Sequence, residues 1–231
     1  KMFKKYDLVS LPVIDGKHNL IGHVSIDDIV DIIQEETEED ISYIAGTSDE
    51  DLHEDSFWRI SKARIPWLMV AFIGEIISAL ILSRFNATIQ MITASAFFIP
   101  VIMAMGGATG QQTGIIVVHG LVTGSFSMKN IARRVFIEIK SALLTSSFFA
   151  TITIVFVFLW MGNLALGLVL GMSLLIVITL AGLIGSIIPA VFKRLNIDPA
   201  LVTGPLIATS NDIFGLLIYF SFLTFAYKYL L

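Results

Sequence analysis

The sequence predicts an all-α integral membrane protein with five spanning helices, preceded by a truncated α/β fragment and a connecting helix. Hydrophobic residues make up 55% of the 231 residues and charged residues only 15%, which is typical of membrane proteins. Five apolar stretches each reach the about 20 residues that a helix needs to cross a bilayer. The charge is also divided unevenly, because residues 1–65 have a net charge of −8 and residues 66–231 a net charge of +4.

The composition excludes several classes of function. The chain has no cysteine, which rules out disulfides and thiolate metal sites. The overall charge of −4 is the sum of an acidic N-terminal part and a basic membrane part. It gives no reason to expect a nucleic-acid partner. We find no nucleophile–base pattern and no cofactor loop, so we expect no enzyme and no catalytic or cofactor-binding residues. The first residue is not Met and no signal peptide precedes the globular part, so we expect a fragment.

Residues 1–40 are similar to the closing half of a CBS domain. The strands LPVID and LIGHVS surround a turn at residues 16–19, and Ser25 with Asp28 then forms a helix N-cap signal. An apolar stripe follows at Ile26, Ile29, Val30 and Ile33. About 35 residues are too few for a stable core, so we expect a truncated module.

An acidic run follows, with 13 acids and no Lys or Arg from Asp27 to Asp55. Two interpretations stay open: a solvated linker, or a low-affinity divalent-cation sensor whose carboxylates need a hard cation to bridge them. The candidate ligands of a sensor are Glu35, Glu36, Glu38 and Glu39. We assign residues 41–65 to an acidic linker and a connecting helix, the latter at about 49–64.

Residues 66–231 form the predicted pore domain of five spans. Their approximate bounds are 66–83, 87–122, 134–160, 164–192 and 199–227. The second is too long for one straight helix, and we expect Pro100 and the glycine run at residues 106–110 to kink or break it.

Basic residues predict the orientation. Eight of them flank the spans on one side and two, Arg84 and Lys228, lie on the other. Because cytoplasmic loops are enriched in Lys and Arg, we expect the N-terminus in the cytoplasm and the C-terminus outside. The expected location is the plasma (inner) membrane, with several passes.

Asp212 is the main candidate site residue, because it stands in the middle of the last span. A carboxylate at that depth costs about 2.5–3.5 kcal/mol on insertion scales, so such residues usually face a bundle interior or a water-filled path. Gly204 and Pro205 are expected to loosen the helix and free carbonyl groups. We favour a cation path over the alternative, in which Asp212 only packs against a neighbouring helix.

Other polar residues of the spans have weaker signals. Glu75 either lines the path or bonds to another helix, and we favour the second because no glycine-rich or broken segment surrounds it. Glu138 is expected to pair with Arg134 at helical spacing, and His119 to be structural. The run GGATGQQ either lets backbones approach closely or exposes carbonyls to a pore.

Several motifs together resemble the MgtE family of magnesium channels. In the second span they are Pro100-Val101 and the run MGGATGQQ at residues 105–112. In the last span they are DPAL at 198–201, GPL at 204–206, SND at 210–212 and GLLIY at 215–219, and EETEEDI at 35–41 fits as well. The family usually has Asn where this chain has Ala108, so any contact made by that amide is lost.

The resemblance implies a homodimer in the bilayer, with a pore between the second and fifth spans of both chains and no other protein partner. It places the pore carboxylate on Asp212, a backbone carbonyl ligand on Ala208, and Asn211 beside them. It also implies Mg²⁺ as both the transported and the regulatory ion, with the CBS module and connecting helix closing the pore. A divalent ion held through its waters fits paired aspartates on a two-fold axis.

Three functions remain as hypotheses. The first is a Mg²⁺-selective channel driven by the electrochemical gradient and gated by cytoplasmic Mg²⁺. The alternative is a proton-coupled divalent-cation transporter with alternating access, ranked lower because the five spans show no internal repeat. The third is a receptor that senses divalent cations without moving them, which leaves the intramembrane acid unexplained.

Overall fold

The computed structural model describes residues 2–47 and 55–229. The elements in this part of the chain are α1 (Met2–Tyr6), β1 (Ser10–Ile14), β2 (Leu20–Ser25), α2 (Ile26–Ala45), α3 (Phe57–Arg84), α4 (Asn86–Met91), α5 (Ile99–Val122), α6 (Ile131–Met161), α7 (Leu164–Arg194) and α8 (Pro205–Tyr229). Short 3₁₀ turns at Thr93–Phe98, Met128–Asn130 and Ala200–Val202 precede α5, α6 and α8.

The N-terminal fragment contains the predicted hairpin. Strands β1 and β2 pair antiparallel, with Ser10 opposite Ser25 and a bulge between Val13 and Ile14. The turn is closed by the Asp15 carboxylate, which accepts the backbone N–H of Lys17 at 2.7 Å and of Asn19 at 2.9 Å. Local hydrogen bonds of this kind favour a turn over continued strand.

Helix α2 begins and ends as its sequence signals predict. The Ser25 hydroxyl accepts the backbone N–H of Asp28, and the Asp28 carboxylate accepts that of Ser25, which is a complete capping box. Gly46 ends the helix in the left-handed conformation, at φ +71°. The helix crosses the predicted boundary between residues 40 and 41, so the acidic residues 27–40 are helical.

Five helices are long and apolar enough to cross a membrane within the described residues, which confirms the predicted fold class. The first, α3, runs unbroken from Phe57 to Arg84 with Pro66 inside it. Part of the predicted connecting helix, residues 49–54, lies outside the described residues. Its remainder, from Phe57 to Arg64, is the first part of α3 and continuous with the span.

The expected interruption of the second span is only partly correct. Pro100 lies in the first turn of α5, where a proline is compatible with a helix because its missing N–H has no partner to lose. The helix is instead interrupted before Pro100, between α4 and the 3₁₀ turn Thr93–Phe98. The glycine run at 106–110 does not break the helix, because α5 continues through it to Val122.

Helix α7 lies at the centre of the bundle. It packs against α5, α6 and α8, whereas α3 packs chiefly against α8. Its buried side chains include Leu170, Leu174 and Ile178, each at most 2% exposed. Small residues at the crossings let the helices approach closely, as in membrane bundles generally. This arrangement holds α8 between α3, α5 and α7.

Candidate functional site

A short polar turn fixes the start of helix α8. The Asp198 carboxylate accepts the backbone N–H of Ala200 at 2.8 Å, and the Thr203 hydroxyl donates to the carbonyl of Pro199 at 3.0 Å. The helix then begins at Pro205. The predicted loosening at residues 204–205 is therefore a helix start and not a break within a span.

Asp212 and Ala208 lie on one face of α8. They are four residues apart, which places them one turn apart on the helix, and both are partly exposed in the single chain. That exposure leaves their face open to a second chain or to water. Ligation by the Asp212 carboxylate and by the Ala208 carbonyl both stay predictions.

The Asp212 carboxyl has a second carboxyl beside it, that of Glu75 on α3, close enough for the two to interact. The two helices approach closely just beside it, because a Cβ added at Gly74 would stand 2.6 Å from Cγ2 of Thr209. Of the two interpretations of Glu75, contact with another helix is the one observed. Its partner, however, is the candidate path residue itself.

Asn211 points away from Glu75 and into the interface between α8 and α5. It is 3% exposed, and neither polar atom of its side chain finds a hydrogen-bond partner among the described residues. A Cβ added at Gly110 would stand 1.8 Å from its Nδ2, so the amide fills the space that this glycine leaves. Ligation of a metal by Asn211 stays a prediction.

The run GGATGQQ has two different faces. Gly106 and Gly110 are buried, and a Cβ added at Gly185 of α7 would stand 2.3 Å from the carbonyl oxygen of Gly110. The close approach of backbones is therefore one role of the run. Ala108 and Gln111 lie on the opposite, exposed face together with Gln112.

The predicted sensor residues lie on α2 and are not gathered into a closed site. The Gln34 amide donates to Glu38 at 2.9 Å and the Tyr43 hydroxyl to Glu39 at 2.7 Å, whereas Glu35 and Glu36 are exposed. Within residues 2–47 and 55–229, no three His, Asp or Glu side chains are close enough together to hold a metal ion. Metal binding by these glutamates stays a prediction.

The structure brings together one acidic pair that the sequence interpretation missed, Asp40 on α2 and Asp198 before α8. Burial raises the pKa of Asp40 above its ordinary value, and the Asp198 carboxylate is the next cause. Glu36 and Glu39 raise it further, whereas Lys193 lowers it. The charge of each residue was visible in the sequence, but no sequence signal places α2 against the turn before α8.

The C-terminal end of α2 docks onto the start of α8 and onto α3 at Trp67. A Cβ added at Gly204 would stand 2.7 Å from the carbonyl oxygen of Ile44, so this glycine admits the end of α2. The ring centroids of Tyr43 and Trp67 lie 6.4 Å apart, within the range of an aromatic contact. The acidic helix therefore touches the helix that holds Asp212.

The structure shows the expected partner of Glu138 and gives the position of His119 on α5. The Arg134 guanidinium donates to the Glu138 carboxylate across one helical turn, which confirms the predicted pair. His119 lies on an exposed face of α5, beside Asp40 in a cavity of about 330 Å³. The structural role of His119 stays a prediction.

Comparisons with known proteins identify the same family as the sequence motifs. The family model described as "MgtE: Divalent cation transporter" matches residues 99–222, more than half of the chain. That match covers α5 to α8 apart from the last turns of α8.

Three curated relatives, each called "Magnesium transporter MgtE", match nearly the whole chain. Identity is 32% over 97% of the chain for the protein of Bacillus subtilis, 33% over 96% for that of Thermus thermophilus and 33% over 98% for that of Enterococcus faecalis. In each case the match covers 49–50% of the relative. The chain therefore spans about half the length of the curated relatives it matches.

Proposed function

Because the chain belongs to the MgtE family of divalent cation transporters, we propose that it conducts Mg²⁺ through a path at Asp212. The family is one of transporters and not of enzymes. The observation that supports the path is the proximity of the Asp212 and Glu75 carboxyls, which interact within two spanning helices. Carboxylates at this depth generally face protein or water and mark routes for ions.

Magnesium suits the residues available. It releases its water reluctantly and is usually held through several waters and one or two carboxylates. Asp212 is partly exposed, and the backbone carbonyl of Ala208 lies one turn earlier. Both groups can accept hydrogen bonds from waters bound to the ion, which are weak contacts. Weak binding also lets the ion leave, which conduction requires.

A homodimer is the assembly we propose. The face of α8 with Ala208 and Asp212 is partly exposed in the single chain, and a two-fold axis there would bring two aspartates to one ion. A strictly monomeric chain that still conducts would contradict this assembly. The basic residues support a cytoplasmic N-terminus and an outer C-terminus in the plasma membrane.

We propose that cytoplasmic Mg²⁺ closes the path through α2. Asp40 and Asp198 lie close enough for their charges to interact across the junction of α2 and the turn before α8. A divalent cation there would relieve the repulsion and tighten the docking of α2 against Gly204. Glu35, Glu36, Glu38 and Glu39 would add to the negative field that attracts the ion.

The alternative is a proton-coupled transporter, and the carboxyl pair of Glu75 and Asp212 favours it in one respect. Carboxyls in contact exchange protons readily, so a proton could replace the cation there. The two functions differ in their driving force. A channel follows the membrane potential and the Mg²⁺ gradient, whereas a coupled transporter also responds to a pH gradient.

Reconstitution in liposomes tests the proposal. The chain is inserted in vesicles with a set potassium diffusion potential, and Mg²⁺ entry is followed with an enclosed magnesium dye. We expect entry to increase with inside-negative potential and to be unchanged by a pH gradient at fixed potential. Entry that follows the pH gradient would support the coupled transporter, and no entry at any potential would contradict both.

A further inference from the structure

We propose that Glu75 supplies a second carboxylate to the cation path at Asp212 and sets its affinity for a divalent ion. The inference rests on the proposed function, because it assumes that a cation passes Asp212. It goes beyond the proposed function by giving Glu75 of α3 a part of its own in binding the ion. The substrate class is a hydrated divalent cation.

Helices α3 and α8 approach closely beside the two carboxyls. Gly74 brings the two backbones together at Thr209, because even a methyl group there would stand 2.6 Å from the threonine Cγ2. Glu75 is the next residue of α3, and Asp212 lies nearly one turn beyond Thr209 on α8. The close approach of the two backbones therefore places the two carboxyls near enough to interact.

Glu75 is exposed in the single chain. It nevertheless lies well inside a spanning helix, between apolar residues such as Ile73 and Ile76. A carboxylate facing lipid at that depth is costly, by about 2.5–3.5 kcal/mol on insertion scales. Glu75 must therefore face water or a second protein surface, which are the surroundings of an ion path.

A third observation comes from Ser78, one helical turn after Gly74. These two residues are the buried positions of α3, and the hydroxyl of Ser78 has no hydrogen-bond partner within the described part of the chain. Ser78 is 3% exposed and lies three residues from Glu75, one helical turn from Gly74, whose position meets Thr209 of α8. Buried hydroxyl groups usually have a hydrogen-bond partner, so the hydroxyl of Ser78 is available to a polar ligand at this interface.

Charge balance connects these observations. Two carboxylates in contact repel each other, and a divalent cation or its bound water between them removes the repulsion. Asp212 and Glu75 together match the charge of one Mg²⁺ within a single chain. A second chain on a two-fold axis would double the negative charge and strengthen the preference for divalent over monovalent cations.

The test compares Glu75→Gln, which removes the charge, with Glu75→Asp, which keeps it on a shorter side chain. Mg²⁺ entry into liposomes is measured over a range of Mg²⁺ concentrations at fixed potential. For Glu75→Gln we expect the half-saturating concentration to rise on the order of ten-fold, as for the loss of one nearby charge. For Glu75→Asp we expect a much smaller rise.

Two further variants make the outcomes distinguishable. Asp7→Asn, the matched loss of a carboxylate outside the spans, should leave the half-saturating concentration unchanged. If Asp212→Asn lowers entry but Glu75→Gln leaves half-saturation unchanged, Glu75 has no part in the path and the proposed function stands. If Gln and Asp at residue 75 have equal effects, Glu75 acts by packing and the inference is wrong. If neither Asp212→Asn nor Glu75→Gln changes entry, the proposed function fails as well.

Discussion

Asn211 and Asp212 are neighbours in the sequence, but helix α8 directs their side chains to different surroundings. Successive residues of a helix are rotated by about 100°, so one of the two enters the interface with α5 and the other meets α3. Asn211 is buried against Gly110, whereas Asp212 is partly exposed beside Glu75. The charge thus lies on the open face and the amide in the packed interior.

The contact of Asn211 with Gly110 gives a prediction about stability. Gly110→Ala would place a methyl group 1.8 Å from Asn211 Nδ2, so the amide must move within a packed interface. We expect a loss of about 1–3 kcal/mol in the free energy of unfolding, as for overpacking in cores. Thermal unfolding in detergent measures the change.

A matched control for this change lies on the same helix. A Cβ added at Gly107 meets no atom within 4 Å, so Gly107→Ala should be neutral or stabilise α5 by up to about 1 kcal/mol. The double variant Gly110→Ala, Asn211→Ala should recover part of the lost stability by making room. Equal effects of the two single alanine variants would contradict the packing account.

At the scale of elements, the docking of α2 on the start of α8 connects the acidic segment to the bundle. Gly46, at φ +71°, lies against Pro205, and its own position after α2 requires a conformation that other residues rarely adopt. Asp40 and Asp198 lie at the same junction. A change in charge there would act directly on the helix that holds Asp212.

The pKa of Asp40 predicts how this junction depends on pH. Because burial and Asp198 raise that pKa in the folded state, the protonated form is favoured there, and its contribution to stability is complete below the ordinary pKa. The contribution is lost as the pH rises through the raised pKa. We therefore expect Asp40→Asn to stabilise the junction at pH 7, by less than about 1 kcal/mol because the group is mostly solvated.

Thermal unfolding at two pH values measures this effect. The gain from Asp40→Asn should be present near neutral pH and should disappear in acid, below the ordinary pKa of an aspartate, where the parent residue is also protonated. Asp31→Asn, an exposed acid of the same helix, is the control and should give no such difference. A destabilised Asp40→Asn at neutral pH would contradict the account.

The elements were largely predictable from local signals. The hairpin, the capping box at Ser25 and five spanning helices follow from turn residues and from apolar length, and the structure contains all of them. The prediction that the glycine run breaks the second span was wrong, because it used only the low helix propensity of glycine. In α5 Gly106 and Gly110 instead face α7 and α8, where close packing outweighs the lost propensity.

On the scale of the whole molecule, the pairings between distant segments were not predictable. Glu75 and Asp212 are 137 residues apart in the sequence, and no motif or spacing connects them. The same holds for Asp40 and Asp198. Both pairs depend on the order in which helices pack, which is set by small residues such as Gly74 and Gly204. The sequence therefore singled out Asp212 as a candidate but not the acid that lies beside it.

Conduction through Asp212 is the central claim, and Asp212→Asn in liposomes tests it most directly. The amide keeps nearly the same volume but removes one negative charge per chain. A full charge at ~4 Å contributes about 4 kcal/mol at an effective dielectric near 20, and water in the path reduces this. Even about 1–2 kcal/mol would change the occupancy of the site by Mg²⁺ on the order of ten-fold.

We predict that Asp212→Asn folds and inserts like the parent chain but loses most Mg²⁺ entry at a fixed inside-negative potential. We expect Asp212→Glu to retain part of that entry. Parent-level Mg²⁺ entry through the Asn variant would show that Asp212 is a packing residue and that ions do not pass it.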